Sequence, residues 1–167
     1  MKIKHITLGK TGITVPQNAF GALPIQRTET ETAAAIIRRA YEGGIRFFDT
    51  ARSYTDSEVK LARGLAGVRD QVYIASKTQA KTPEQFWKDL ETTLTNLETD
   101  CLDLYQFHFV KQCWTPGDGT GMYECMLEAK AQGRIRHIGV TTHSLAIARE
   151  LIDSGCYETL QFPFSYL

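Results

Sequence analysis

The stretch Phe47-Phe48-Asp49-Thr50-Ala51-Arg52-Ser53-Tyr54 decides the fold. Its apolar start is typical of the end of a buried strand, and two polar side chains, Asp49 and Tyr54, follow five residues apart. In a parallel α/β barrel, the chemistry lies at the rim where the strands end. The stretch therefore predicts a barrel strand that delivers Asp49 and Tyr54 to one rim.

Strand and helix patterns alternate along the rest of the chain, with a repeat of roughly thirty residues that is typical of right-handed βαβ units. A hairpin, residues 3–8 and 13–15, comes first. The predicted strands are 18–21, 45–49, 72–76, 102–107, 134–140 and 159–162. The predicted helices are 28–42, 56–66, 82–97, 122–131 and a last one capped by Ser144 and closed by Gly155, with Ile147, Leu151 and Ile152 facing inward.

Two architectures fit this alternation, a doubly wound nucleotide-binding sheet and a barrel. The first normally has a Gly-x-Gly-x-x-Gly turn after an early strand, and this sequence has none. We therefore expect a parallel (β/α)8 TIM barrel. A closed barrel has eight strands and typically ~250 residues, so we expect residues 1–167 to be a single domain truncated at its C-terminus. Its two open sheet edges would allow self-association.

Charge and composition restrict the class of protein. Nineteen basic and nineteen acidic residues cancel, so no electrostatic footprint for nucleic acid or an anionic membrane is expected. No secretory signal and no membrane-spanning run is expected either. The four cysteines are too widely spaced for a paired zinc or iron–sulfur motif, so we expect no metal site and reduced thiols in a cytoplasmic protein.

Four polar residues follow the ends of neighbouring predicted strands, where their side chains would converge: Asp49, Tyr54, Lys77 and His108. A tyrosine has a pKa of ~10, and an ammonium at about 4 Å would stabilise its phenolate by ~4 kcal/mol at an effective dielectric constant near 20. Lys77 would supply that charge, and Asp49 would keep Lys77 charged and oriented. His108 would hydrogen-bond a substrate oxygen or share the proton of Tyr54. The four residues predict a site that protonates a developing alkoxide.

The loop that follows His108 is the one sizeable wall that the sequence predicts beside this site. It contains Trp114, which is either an aromatic of the substrate pocket or an anchor of the loop.

With these residues in this order, the sequence resembles the aldo-keto reductase family, whose members are barrel enzymes that reduce carbonyl compounds with NADPH. The matching segments are Leu8-Gly-Lys-Thr-Gly12, Phe48-Asp-Thr-Ala51 with Tyr54, Ala75-Ser-Lys77, Asp103-Leu-Tyr-Gln-Phe-His108, Ile135-Arg-His-Ile-Gly-Val140 and Gln161. The resemblance implies that Asp49, Tyr54, Lys77 and His108 are the catalytic tetrad, with Tyr54 as proton donor to a small carbonyl substrate. The Gly-Val-Thr-x-His pattern of residues 139–143 is similar to one bacterial branch of the family.

The resemblance also implies an NADP(H) site. The family holds the nicotinamide carboxamide with a Ser-Asn pair and a Gln; here the Gln is Gln161, and Thr141, Thr142 and His143 stand at the place of the pair. The aromatic that stacks on nicotinamide and the basic loop for the adenosine phosphate would lie beyond Leu167. Two other interpretations stay open: a regulatory or binding protein on the same fold, and a catalytically silent piece that cannot hold the cofactor.

Overall fold

The computed structural model describes residues 3–164. A short antiparallel hairpin opens the fold, with strand β1 at His5–Thr7 and strand β2 at Thr14–Pro16. Gly12 in its turn has a φ of +74°, a conformation that a glycine adopts without strain. The predicted hairpin is confirmed, with β1 shorter than expected and β2 shifted by one residue.

Six parallel strands follow in the sheet order β3-β4-β5-β6-β7-β8. They are β3 (Phe20–Gly21), β4 (Phe47–Asp49), β5 (Tyr73–Thr78), β6 (Leu102–Phe107), β7 (Ile135–Thr141) and β8 (Thr159–Gln161). Five helices connect them, α1 (Thr30–Glu42), α2 (Ser57–Leu65), α3 (Pro83–Asn96), α4 (Met122–Ala131) and α5 (Leu145–Ser154). Strand order follows chain order, and the sheet curls into a half-barrel. The predicted parallel barrel architecture, with six strands and five intervening helices, is confirmed.

The core has two layers because successive side chains of a strand point to opposite faces of the sheet. The larger layer lies between the sheet and the helices and contains Ile74, Phe86 and Tyr105, each almost fully buried. The smaller layer lies on the inner face, where Val15 of the hairpin packs with Phe47 and other apolar residues. The inner face therefore carries the side chains that a barrel directs to its axis, and the hairpin covers part of that face.

Several predicted boundaries differ from the structure. Strand β5 extends to Thr78, so Lys77 lies within it, and β7 extends to Thr141. Helix α1 begins at Thr30, because the Glu29 carboxylate caps it by accepting hydrogen bonds from the backbone N–H groups of residues 31 and 32. Two 3-10 helices, Pro24–Arg27 and Arg69–Gln71, were not predicted.

The predicted inward face of helix α5 is wrong at one position. Leu151 is buried, whereas the next residue, Ile152, is 64% exposed. Consecutive helix positions are about 100° apart, so the turn that buries Leu151 and Ala148 directs Ile152 away from the sheet. Across residues 3–164, no helix combines the length and the apolar character needed to cross a lipid bilayer.

Candidate active site

A buried ion pair lies on the inner face of the sheet, at the ends of β4 and β5. The Lys77 ammonium donates hydrogen bonds to Asp49 Oδ2 at 2.6 Å and to the backbone oxygen of Thr50 at 2.7 Å. The Lys77 side chain is 2% exposed and that of Asp49 is 16% exposed. Burial lowers the pKa of Lys77, and the Asp49 carboxylate opposes this by attracting the ammonium. Asp49 thus compensates a charge that has been taken out of water.

Tyr54 lies beside this pair, on the loop that joins β4 to α2. The Arg52 backbone N–H donates to the Lys77 carbonyl oxygen at 2.9 Å, which ties the loop to β5. The Lys77 ammonium is 5.3 Å from the centroid of the Tyr54 ring, over its face. The loop therefore brings the phenol to the ion pair through a fixed backbone contact.

The sequence predicts that Lys77 stabilises the phenolate of Tyr54, and here the structure differs. Burial raises the pKa of Tyr54, and the Asp49 charge raises it further. The Lys77 ammonium donates its hydrogen bonds to Asp49 and Thr50. The negative charge of Asp49 offsets most of the positive charge of Lys77, so little of it is left to stabilise a phenolate at Tyr54. Tyr54 is therefore held as a neutral phenol that keeps its proton in this state.

His108 follows β6 and completes the group. Its backbone N–H donates to the Thr78 carbonyl oxygen at 2.8 Å, and its ring meets the Tyr54 ring edge-on, with centroids 5.6 Å apart. Its Nδ1 atom is 3.3 Å from the Ser53 hydroxyl oxygen. Burial lowers the pKa of His108 to about 4, assisted by the charges of Lys77 and His143. The imidazole is therefore neutral at neutral pH and has one nitrogen to donate and one to accept.

The structure brings three of the four catalytic candidates to the wall of one cavity of about 200 Å³, and Asp49 joins them through Lys77. The wall consists of Tyr54, Lys77, His108, Thr141, His143, Gln161, Phe162 and Pro163. Three of the four predicted cofactor residues are thus in the same wall as the tetrad candidates.

Thr142 is the predicted cofactor residue that the structure does not bring to this cavity. It is 1% exposed, its hydroxyl donates to the Val110 carbonyl oxygen at 2.9 Å, and the same hydroxyl accepts from the Ser144 backbone N–H. Its hydroxyl proton is therefore already donated to the backbone and is not directed to a cofactor in this cavity. Thr141 differs, since its hydroxyl accepts from the Phe109 N–H at 2.7 Å and keeps its own proton for another partner.

Gln106 also lies in this site, although it was not predicted from the sequence as a site residue. It is 1% exposed, and its amide nitrogen lies 3.4 Å from Asp49 Oδ1 and 3.5 Å from Gln161 Oε1. The Gln161 amide nitrogen in turn lies 3.4 Å from Asp49 Oδ2. The two-residue period of a strand could have found Gln106, because it lies two positions before His108 and faces the same way.

Glu58 is the second residue that was missed, and it supports the site from the helix side of the sheet. It is fully buried in α2 and accepts hydrogen bonds from the Ser76 and Thr93 hydroxyls, each at 2.8 Å. It also contacts the guanidinium of Arg52 and the amide of Asn96. These contacts join the Tyr54 loop, β5 and α3. No sequence signal points to it, because a glutamate in a helix normally faces solvent.

A larger cavity of about 590 Å³ adjoins His108 along the loops that follow β5 and β6. Trp114 forms part of its wall, and its ring also packs on Phe107 with centroids 4.6 Å apart. Its backbone oxygen accepts from the Tyr157 hydroxyl at 2.7 Å. The loop-anchor alternative for Trp114 therefore has structural support, while its role in a substrate pocket stays a prediction for a residue that lines a cavity.

Comparisons with known proteins agree with this geometry. The sequence profile of the Aldo/keto reductase family matches residues 14–165. The chain belongs to this family. Methylglyoxal reductase DkgB of Salmonella typhi is 32% identical over 148 residues, which cover 84% of this chain and 52% of that protein. The chain spans about half the length of the curated relatives it matches.

Solved structures of aldo-keto reductases superpose on this family member over almost all of its length. The holo form of aldo-keto reductase AKR11C1 from Bacillus halodurans has a TM-score of 0.85 at 25% identity and covers 99% of this chain and 59% of that one. An aldo-keto reductase from Klebsiella pneumoniae in complex with NADPH has a TM-score of 0.83 at 25% identity, with 98% and 59% coverage. The half-barrel thus has the geometry of the corresponding part of an aldo-keto reductase.

Proposed function

We propose that this chain carries the proton-transfer site of an NADP-dependent reductase that converts small aldehydes or ketones to alcohols. The observation that supports the proposal most strongly is the meeting of Tyr54, His108 and the Asp49–Lys77 ion pair around one cavity. A carbonyl reduction adds a hydride to the carbonyl carbon and a proton to the oxygen. The second step needs an acid within hydrogen-bond reach, and Tyr54 is the acid proposed.

Each group of the tetrad has a distinct part in the proposal. The Tyr54 phenol keeps its proton until an alkoxide forms beside it, since its pKa is raised in the resting site. The neutral His108 donates a hydrogen bond to the same oxygen and orients it. Lys77 is held 5.3 Å from the Tyr54 ring centroid, and the part of its positive charge that Asp49 leaves unmatched attracts the negative charge that the phenol acquires when it gives up its proton. Asp49 acts through Lys77 as a positioning residue.

The proposed cofactor is NADP(H), whose nicotinamide, when bound, supplies the hydride. Gln161, Thr141 and His143 are the residues proposed to hold its carboxamide. The donor set is suitable: Thr141 has a free hydroxyl proton, and the Gln161 amide makes contacts of 3.4 and 3.5 Å that a better partner can replace. The NADPH complex of the Klebsiella pneumoniae relative supports this choice of cofactor.

The proposed substrate is a small carbonyl compound, because the Salmonella typhi relative is a methylglyoxal reductase. We also propose a cytoplasmic location, because the four cysteines are free thiols, as a reducing compartment maintains them.

Consumption of NADPH at 340 nm with a panel of small aldehydes, each compared with a reaction without aldehyde, tests the proposed function. A fluorescence titration of NADPH binding to the purified chain accompanies it. Aldehyde-dependent oxidation supports the proposal. Micromolar NADPH binding without turnover of any aldehyde would contradict it and favour a binding role for the fold.

A further inference from the structure

The cavity of about 590 Å³ beside His108 is lined by buried apolar residues and by exposed cationic ones. Ala80, Val110 and Trp114, all buried, form the apolar part of its wall. Two exposed lysines, Lys81 and Lys111, also line it. A ligand in this cavity whose carbonyl contacts His108 would therefore share the cavity with apolar side chains and two lysines.

No carboxylate among the lining residues offsets these charges. Within residues 3–164, neither Lys81 nor Lys111 has a salt bridge or a side-chain hydrogen bond. A single exposed lysine is usually just solvated. Two unpaired lysines in one cleft have a stronger effect than a single lysine, because a cleft lined by charges of one sign concentrates ions of the opposite sign. The net charge of the chain is zero, so this positive potential is local.

The loops that carry the lysines are fixed by buried hydrogen bonds. The Ala80 backbone N–H donates to the Thr78 hydroxyl at 2.9 Å, just before Lys81. The Val110 backbone N–H donates to the Thr141 carbonyl oxygen at 2.9 Å, and Thr142 donates to the Val110 carbonyl oxygen, just before Lys111. Both backbones are thus held before a ligand arrives, which reduces the entropy lost on binding.

We propose that this site selects carbonyl compounds that bear an anionic group, a carboxylate or a phosphate, with Lys81 and Lys111 binding the anion while the carbonyl lies at His108. The inference rests on the proposed function and specifies its substrate class.

Calorimetric titration tests the anion site without turnover. The probes are 4-(hydroxymethyl)benzoate, its neutral amide, and 4-(hydroxymethyl)phenyl phosphate. We expect the double variant K81Q/K111Q to weaken binding of the charged probes about tenfold and to leave the amide unchanged, since a charge-assisted contact is screened at an exposed site. The larger loss among the two charged probes identifies the preferred anion. Equal affinities of charged and neutral probes for the unmodified chain would overturn the proposal.

K10Q/K88Q is the matched control, because it also removes two charges, both from exposed lysines that do not line the cavity. It should bind all three probes as the unmodified chain does. If it loses as much affinity for the charged probes as K81Q/K111Q does, the loss reflects the net charge of the protein and not a site, and the proposal is overturned. Activity measurements distinguish a failure of the proposed reductase function from a failure of the proposed anion site. Reduction of methyl 4-formylbenzoate tests the proposed function, and the ratio of kcat/KM for 4-formylbenzoate to that ester tests the anion site. A lysine-independent ratio in an active enzyme refutes the anion site alone.

Discussion

Replacing Asp49 by Asn tests the ion pair at the centre of the site. The substitution keeps the shape of the side chain and removes the charge that faces the Lys77 ammonium at 2.6 Å. Breaking a fully buried ion pair costs about 3–5 kcal/mol, because one charge stays buried without its partner. Asp49 is 16% exposed and an Asn oxygen still accepts a hydrogen bond, so we expect the lower end, about 3 kcal/mol of unfolding free energy.

Urea denaturation of four proteins measures this effect: the unmodified chain, D49N, Lys77→Met and the double variant. Once Lys77 is absent, removing the Asp49 charge should cost little, so the double-mutant cycle should give a coupling energy of about 2–3 kcal/mol. D49N should also lower the pKa of Lys77 further, because the attraction that opposes burial is lost. Additive costs, with a coupling energy below about 0.5 kcal/mol, would refute the account of the pair.

Three other predictions concern pH, a buried carboxylate and helix packing. The pKa of His108 is about 4 in the folded protein against 6.5 for the unperturbed group, so the unfolded chain binds more protons between these values. The unfolding free energy should therefore rise between pH 4 and pH 6.5, by about 2 kcal/mol after allowance for solvent screening, and denaturation of His108→Asn should lack this rise. Glu58→Gln should lower the urea midpoint by an amount equivalent to about 3 kcal/mol, because a fully buried acceptor of several hydrogen bonds becomes partly a donor; an unchanged midpoint would refute its structural role. Gly64→Ala should cost about 1–3 kcal/mol in thermal unfolding, since the added Cβ would lie 2.6 Å from Ile37 Cβ between α1 and α2, whereas Gly67→Ala, which meets no atom within 4 Å, should show only backbone strain.

The sequence predicted the alternation of strands and helices because each element has a strong period of its own. It located strand ends less well. Lys77 and Thr141 are polar and were expected just after their strands, yet both lie inside them, because the inner face of a barrel accepts polar side chains near its rim. The exposure of Ile152 was also beyond pattern analysis, since an isoleucine beside a buried leucine has the same hydrophobicity whichever way it faces.

The candidate site was predictable where strand order alone determined it. Asp49, Lys77 and His108 lie at or near the ends of neighbouring strands, and parallel pairing brings them together. The direction of hydrogen bonds was not predictable. The Lys77 ammonium is directed to Asp49 and not to the Tyr54 oxygen, and the Thr142 hydroxyl is directed to Val110 in the loop that follows β6. These choices depend on side-chain orientation, which a spacing pattern does not contain.

The most direct test of the account is the turnover of Tyr54→Phe with NADPH and an aldehyde that the unmodified chain reduces. The variant removes the proposed acid and keeps the ring that lies beside Lys77 and His108. We predict that kcat falls by about 10² to 10⁴ while the dissociation constant of NADPH, measured by fluorescence, stays within about twofold. Unchanged turnover in the Phe variant would contradict the assignment of Tyr54 as the proton donor.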